Sequence, residues 1–139
     1  MHWTLNIQMH KRLGFDRKNR DLDIVELKNN LLELGVTPKY MGYYYFVEAY
    51  QIAIDNPWSL TLITKLIYPA VAKRYRTTTA AVEIELRRVR DMMWRSNPDL
   101  VSQLCHRHFS QCPSVSLMLS AIVGLALATA TDDAKEDRA

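Results

Sequence analysis

Five prolines, at positions 38, 57, 69, 98 and 113, cut this chain of 139 residues into pieces in which apolar residues recur every three or four positions. That period lines up side chains on one face of a helix, whereas a strand needs alternation by two. Ile24, Leu27, Leu31 and Leu34 share it, as do Tyr43, Phe46, Val47, Tyr50 and Ile54, and then Leu60, Ile63 and Ile67. No convincing strand pair accompanies them. Four glycines are too few for a turn-rich β fold,. The expected fold is all-α, a compact bundle of about six helices containing a helix-turn-helix, and the length fits one domain.

Local signals set the expected boundaries. Asp23 can cap a helix over 23–34, and Gly35 suits the left-handed position after its end. A second helix covers 41–55 and stops at Asn56-Pro57. A third runs over 59–68, where Pro69 either kinks it or starts a new one. Thr77-Thr78-Thr79 suits a turn and an N-cap before a helix over 80–94. Asn97-Pro98 reads as a cap and first position of a short helix to Cys105. Ser114 or Ser116 starts the last helix. Three parts follow: a basic, partly ordered arm over 1–22, a helical domain over 23–130, and a frayed polar tail over 131–139.

Composition narrows the function classes. Apolar residues make up 48% and charged residues 24%, as in an ordinary soluble protein,. The run 117–130 is shorter than the ~20 residues a membrane span needs, and no secretion signal opens the chain. No membrane role is therefore expected. Cys105 and Cys112 make no disulfide scaffold, which favours a reduced, cytoplasmic protein. Cys105, His106, His108 and Cys112 sit close together, but CHRHFSQC lacks zinc-finger spacing, so no metal site is expected. Glycine-rich phosphate loops, nucleophile elbows and HExxH helices are missing, and Glu33, Glu48 and Asp55 fall on separate faces,. Neither an enzyme nor a cofactor nor a small-molecule substrate is expected.

Charge singles out the segment 65–95. It holds Lys65, Lys73, Arg74, Arg76, Arg87, Arg88, Arg90 and Arg95 against Glu83, Glu85 and Asp91, a net of +5 where the whole chain is +3. A short helix, a polar turn and a longer basic helix is the pattern of a helix-turn-helix, whose second helix reads the major groove. Val82, Leu86, Val89 and Met93 form that second helix's single apolar stripe. At 100° per residue the opposite face is Ala80, Ile84, Arg87, Arg88, Asp91 and Arg95, flanked by Glu83 and Arg90.

Double-stranded DNA is the partner this chemistry suits. Arg87 or Arg88 can bond guanine O6 and N7, Glu83 can accept from cytosine N4, and Ile84 can touch a thymine methyl. Lys65, Lys73, Arg74, Arg76, Arg90 and Arg95, with Thr77, Thr78 and Thr79 at the helix start, can hold phosphates. The competing reading is a solvated face in which the same arginines pair with Glu83, Glu85 and Asp91.

The strings ELGVTPKYMGYYYFVEA and ITKLIYPAVAKRYRTTTAAVE, followed by Trp94 and the PSVS that opens the last helix, carry a resemblance over about Leu31 to Leu127. In them the chain resembles the C-terminal DNA-binding effector domain of the master sporulation-initiation transcription factor of endospore-forming bacteria. The resemblance implies an all-helical domain that binds short asymmetric DNA boxes, often as tandem copies, to regulate promoters. Val82, Glu83 and Arg87 match the family's Val-Glu and a following Arg, and Glu83 reads a base there. Two family arginines around Val-Glu are replaced by Ala81 and Ile84, so a different box, weaker binding or another role is implied. About 30 residues precede the match, too few for the family's phospho-receiver domain. The chain is expected to be a fragment or a stand-alone, diverged member.

Two functions follow as expectations. The first is a sequence-specific DNA-binding transcription regulator, acting as a homodimer or in tandem copies. The second is a non-enzymatic module that pairs with a homologous regulator, for which Ile84, an apolar residue on the outer face, is the clue.

Overall fold

The computed structural model describes the backbone of residues 17–138 and the side chains of residues 23–129. Of the expected basic arm, residues 1–16 lie outside the described residues. Six α-helices follow one another, and no strand occurs among the described residues. They are α1 (Arg17–Glu33), α2 (Met41–Asp55), α3 (Tyr68–Arg74), α4 (Thr79–Ser96), α5 (Pro98–Cys105) and α6 (Val115–Arg138). The all-α bundle with a helix-turn-helix is therefore what the chain forms.

The core is continuous. Leu27, Leu31 and Leu34 of the α1 region meet Phe46, Ala49 and Tyr50 of α2, and α2 packs most extensively on α4. Val82, Leu86, Val89 and Met93 are all buried, as their spacing requires,. Met118, Leu119 and Val123 close the bundle from α6.

Caps fall where side chains can make them. Thr78 Oγ1 accepts from the Ala81 N–H at 3.1 Å, Asn97 Oδ1 from the Leu100 N–H at 3.1 Å, and Ser114 Oγ from the Leu117 N–H at 3.1 Å. Each satisfies one of the orphan donors of a helix start.

Two expectations need correction. Asp23 does not cap α1, which begins at Arg17. Between 17 and 33 there is no Gly or Pro to stop a helix from extending backwards,. The expected helix over 59–68 is a 3-10 segment, Pro57–Leu62, followed by a π-helical turn, Ile63–Ile67. Its 3-10 segment carries Pro57 in its first turn, and Leu62 departs from helical geometry at φ −139° and ψ 53°,. Pro69 then lies in the first turn of α3, so it starts a helix rather than kinking one,. At the other end, the backbone of α6 is helical to Arg138.

Candidate nucleic-acid interface

The site is built on α3, the turn over 75–78 and α4. Tyr68, Val71 and Ala72 are buried in the core, so α3 lies flat on the bundle with Lys73 and Arg74 outside. Tyr75 packs its ring 5.3 Å from that of Tyr45 in α2. Arg74 lies over the Tyr75 ring, 6.0 Å from its centre, and pairs with Glu48 of α2 at 3.5 Å. These contacts hold the turn against α2.

α2 also fixes α4 directly. Gly42 comes so close to α4 that a Cβ there would collide with Val89 Cγ2 and lie 2.9 Å from the Glu85 carbonyl oxygen. Only a residue without a side chain fits this approach. The GYxYxxEA string thus supplies both the gap at Gly42 and the clamp at Glu48.

The outer face of α4 is as its period demands. Ala80, Arg87, Arg88 and Arg95 are exposed, and Ile84 is 53% exposed although it is fully aliphatic. Glu83, Asp91 and Arg90 are half-buried at its edges. Around the helix start, Lys73 and Arg76 are exposed; Thr77 and Thr79 are half-buried and flank the capping Thr78. Lys65 is exposed on the π-helical turn. Lys65, Lys73 and Arg76 join no ion pair among the described residues.

The arginines of α4 are paired along their own helix. Arg87 Nη2 meets Glu83 Oε1 at 2.7 Å and Arg88 Nη1 meets Glu85 Oε1 at 2.9 Å. Arg95 Nε donates to the Asp91 carbonyl at 3.3 Å. The solvated, paired face and the face expected to meet DNA are therefore the same surface. Arg90 stands apart: its side chain is 26% exposed and turned to Asp91 at 3.0 Å. Burial raises the Tyr68 hydroxyl pKa, Glu83 adds to the rise, and Arg87 and Arg90 oppose it. Arg90 thus sits between the core and the rim, the least accessible of the basic phosphate candidates.

The cysteine and histidine segment does not converge. Burial pushes the Cys105 thiol up to about 11, against a lowering by Arg107. Cys112 is also raised by burial, with Arg90 lowering and Asp91 raising it. Among the described residues no three His, Cys, Asp or Glu side chains group closely enough to hold a metal ion. No described helix is long and apolar enough to cross a membrane.

One feature of the site escaped the sequence. Arg76, in the middle of the turn, has φ +54°. Arginine gives no sequence signal for this left-handed position, which ordinarily selects glycine or asparagine.

Fold and site together define a helical domain with a helix-turn-helix whose second helix turns arginines to the outside. The sequence model of the sporulation initiation factor Spo0A C terminal matches residues 27–124. The chain belongs to this family, whose members are DNA-binding regulator domains.

Proposed function

We propose that this chain is a sequence-specific, non-enzymatic transcription regulator that acts in the cytoplasm by laying α4 in the major groove of double-stranded DNA. One observation carries the reading. α4 buries its whole apolar stripe and turns Ile84, Arg87 and Arg88 outward on consecutive turns, with Glu83 half-buried at their edge, beside the cations of the α3 turn. In this reading Glu83, Ile84, Arg87 and Arg88 meet base edges. Lys65, Lys73, Arg74, Arg76 and Arg95, with the threonines of the turn, meet phosphates, and Arg90 contributes least.

The ion pairs on α4 do not oppose this role. An exposed pair is worth ~0–1 kcal/mol, while a bidentate arginine–guanine contact discriminates by ~1–3 kcal/mol. Exchanging Glu83 for a guanine is therefore favourable for Arg87. The exchange also frees the Glu83 carboxylate to accept from a cytosine amino group.

Selection of bound duplexes from a random library at two salt concentrations tests the reading. An enriched motif is expected. Arg87→Ala should then change preference at one base, whereas Lys73→Ala should weaken all sequences alike and flatten the salt dependence. Retention without any motif, lost at the higher salt, would leave only a basic surface.

Ile84 supports a second reading, in which the domain pairs with a homologous regulator and modulates it. An exposed isoleucine amid arginines is apolar surface that a protein contact would cover,. Tight binding to a homologue with no motif in the selection would favour it.

A further inference from the structure

Three helices of this domain end in the same way. After α1, the Val36 N–H donates to the Leu31 carbonyl at 2.8 Å and the Gly35 N–H to Leu32 at 3.0 Å. After α3, the Thr77 N–H donates to Ala72 at 2.9 Å and the Arg76 N–H to Lys73 at 3.4 Å. After α5, the Arg107 N–H donates to Ser102 at 3.1 Å and the His106 N–H to Gln103 at 3.1 Å. This is the Schellman pattern, and its turning residue must be left-handed. The three turning residues are Gly35 at φ +84°, Arg76 at +54° and His106 at +55°.

Glycine takes this conformation without strain, and a side chain with a Cβ does not. The chain uses glycine after α1, where the turn leads only to the next core helix. It uses arginine after α3, where the turn leads to the capping Thr78 and the start of the reading helix. Arg76 is exposed and joins no ion pair among the described residues. Its side chain therefore shows no role in holding the fold that would offset the strain. Such strain is kept at two positions, Arg76 and His106, and of these only Arg76 lies in the turn between α3 and α4, beside the exposed Lys73, where a side chain has a use that could offset it,.

We propose that Arg76 is held in the left-handed position because its guanidinium is a contact to the DNA phosphate backbone, and that the domain gives up stability for that contact. The inference rests on the DNA-binding reading. It goes further in holding that the Arg76 contact is kept at a cost in stability, so that removing it stabilises the protein.

The test compares wild type with Arg76→Gly, Arg76→Lys, Lys73→Ala and His106→Gly, by thermal unfolding and by binding to mixed-sequence and selected duplexes at two salt concentrations. Arg76→Gly should raise Tm by about 2–5 °C. It should also weaken every duplex by about 3–10-fold at low salt, and reduce the log–log salt slope by about 0.9. Arg76→Lys keeps both charge and strain, so it should retain most binding and leave Tm unchanged. His106→Gly should raise Tm and leave binding alone. Arg76→Gly with wild-type affinity and slope, or with no gain in Tm, overturns the proposal. If Lys73→Ala weakens binding while Arg76→Gly does not, only this inference falls. If wild type shows no salt-dependent DNA binding, the DNA reading falls with it.

Discussion

The inner side of α4 is held by shape. Val82, Leu86, Val89 and Met93 are buried in the core, and Gly42 of α2 approaches closer than any side chain allows. Its outer side is held by almost nothing. Arg87 and Arg88 are 59% and 61% exposed and meet only carboxylates three and four residues away on the same helix. Burial of a large aliphatic side chain is worth ~1.5–3 kcal/mol, an exposed ion pair ~0–1 kcal/mol. The two faces are thus under separate control. Positions 81 and 84 lie off the buried stripe, so the domain can differ there from the arginines that the resemblance implies and still fold. That is how a binding preference can change within one fold.

The largest effect should come from emptying the inner face. Leu86→Ala removes a fully buried side chain and should cost ~2–5 kcal/mol in denaturant unfolding,. The fraction that remains folded should select the same DNA motif as wild type. A loss below ~1 kcal/mol would mean that the stripe is not core and would undo the contrast.

Gly42→Ala is next. Gly42 is the second residue of α2, so alanine there gains less than the ~1 kcal/mol it gains over glycine in a helix interior,. The added methyl, however, meets both a side chain and the carbonyl of Glu85, and a carbonyl within an α-helix cannot swing aside. Overpacking of this kind costs ~1–3 kcal/mol, so a net loss of ~1–2 kcal/mol is expected. Because the strain lands on α4, affinity for a selected duplex should fall more than affinity for mixed DNA. Equal losses on both would show that α4 keeps its position when α2 is pushed away.

How much of this was legible in the sequence depends on how local the cause is. The caps at Thr78, Asn97 and Ser114, and the turn at Gly35, follow from groups within a few residues of one another. The exposure of Ile84 follows from helical geometry once the stripe is known. The segment 57–67 was not legible as a 3-10 and π pair, because packing imposes it: Ser59 is buried although its hydroxyl finds no partner among the described residues. Nor was the start of α1 at Arg17, since polar helix-tolerant residues carry no stop signal. Arg90 falls by angle on the flank, and there its side chain is 26% exposed. The left-handed Arg76 could not be read, since side-chain type alone pointed to glycine or asparagine.

Ile84→Arg should have the smallest effect on stability and the sharpest effect on reading. The side chain is exposed and off the buried stripe, so folding should change by no more than ~0.5 kcal/mol,. It restores the type of residue that the family usually carries there. An isoleucine can recognise a thymine methyl only by contact, whereas an arginine presents two donors to guanine O6 and N7. Duplex selection with the variant should therefore shift one position of the motif toward G, by ~1–3 kcal/mol of discrimination, with the other positions unchanged. Affinity for mixed DNA should rise slightly and with a steeper salt dependence, as one more cation would allow. If the motif stays as it was while only the salt slope changes, residue 84 faces phosphates and not bases. The register of α4 in the groove would then have to turn so that Arg87 and Arg88 alone carry the reading.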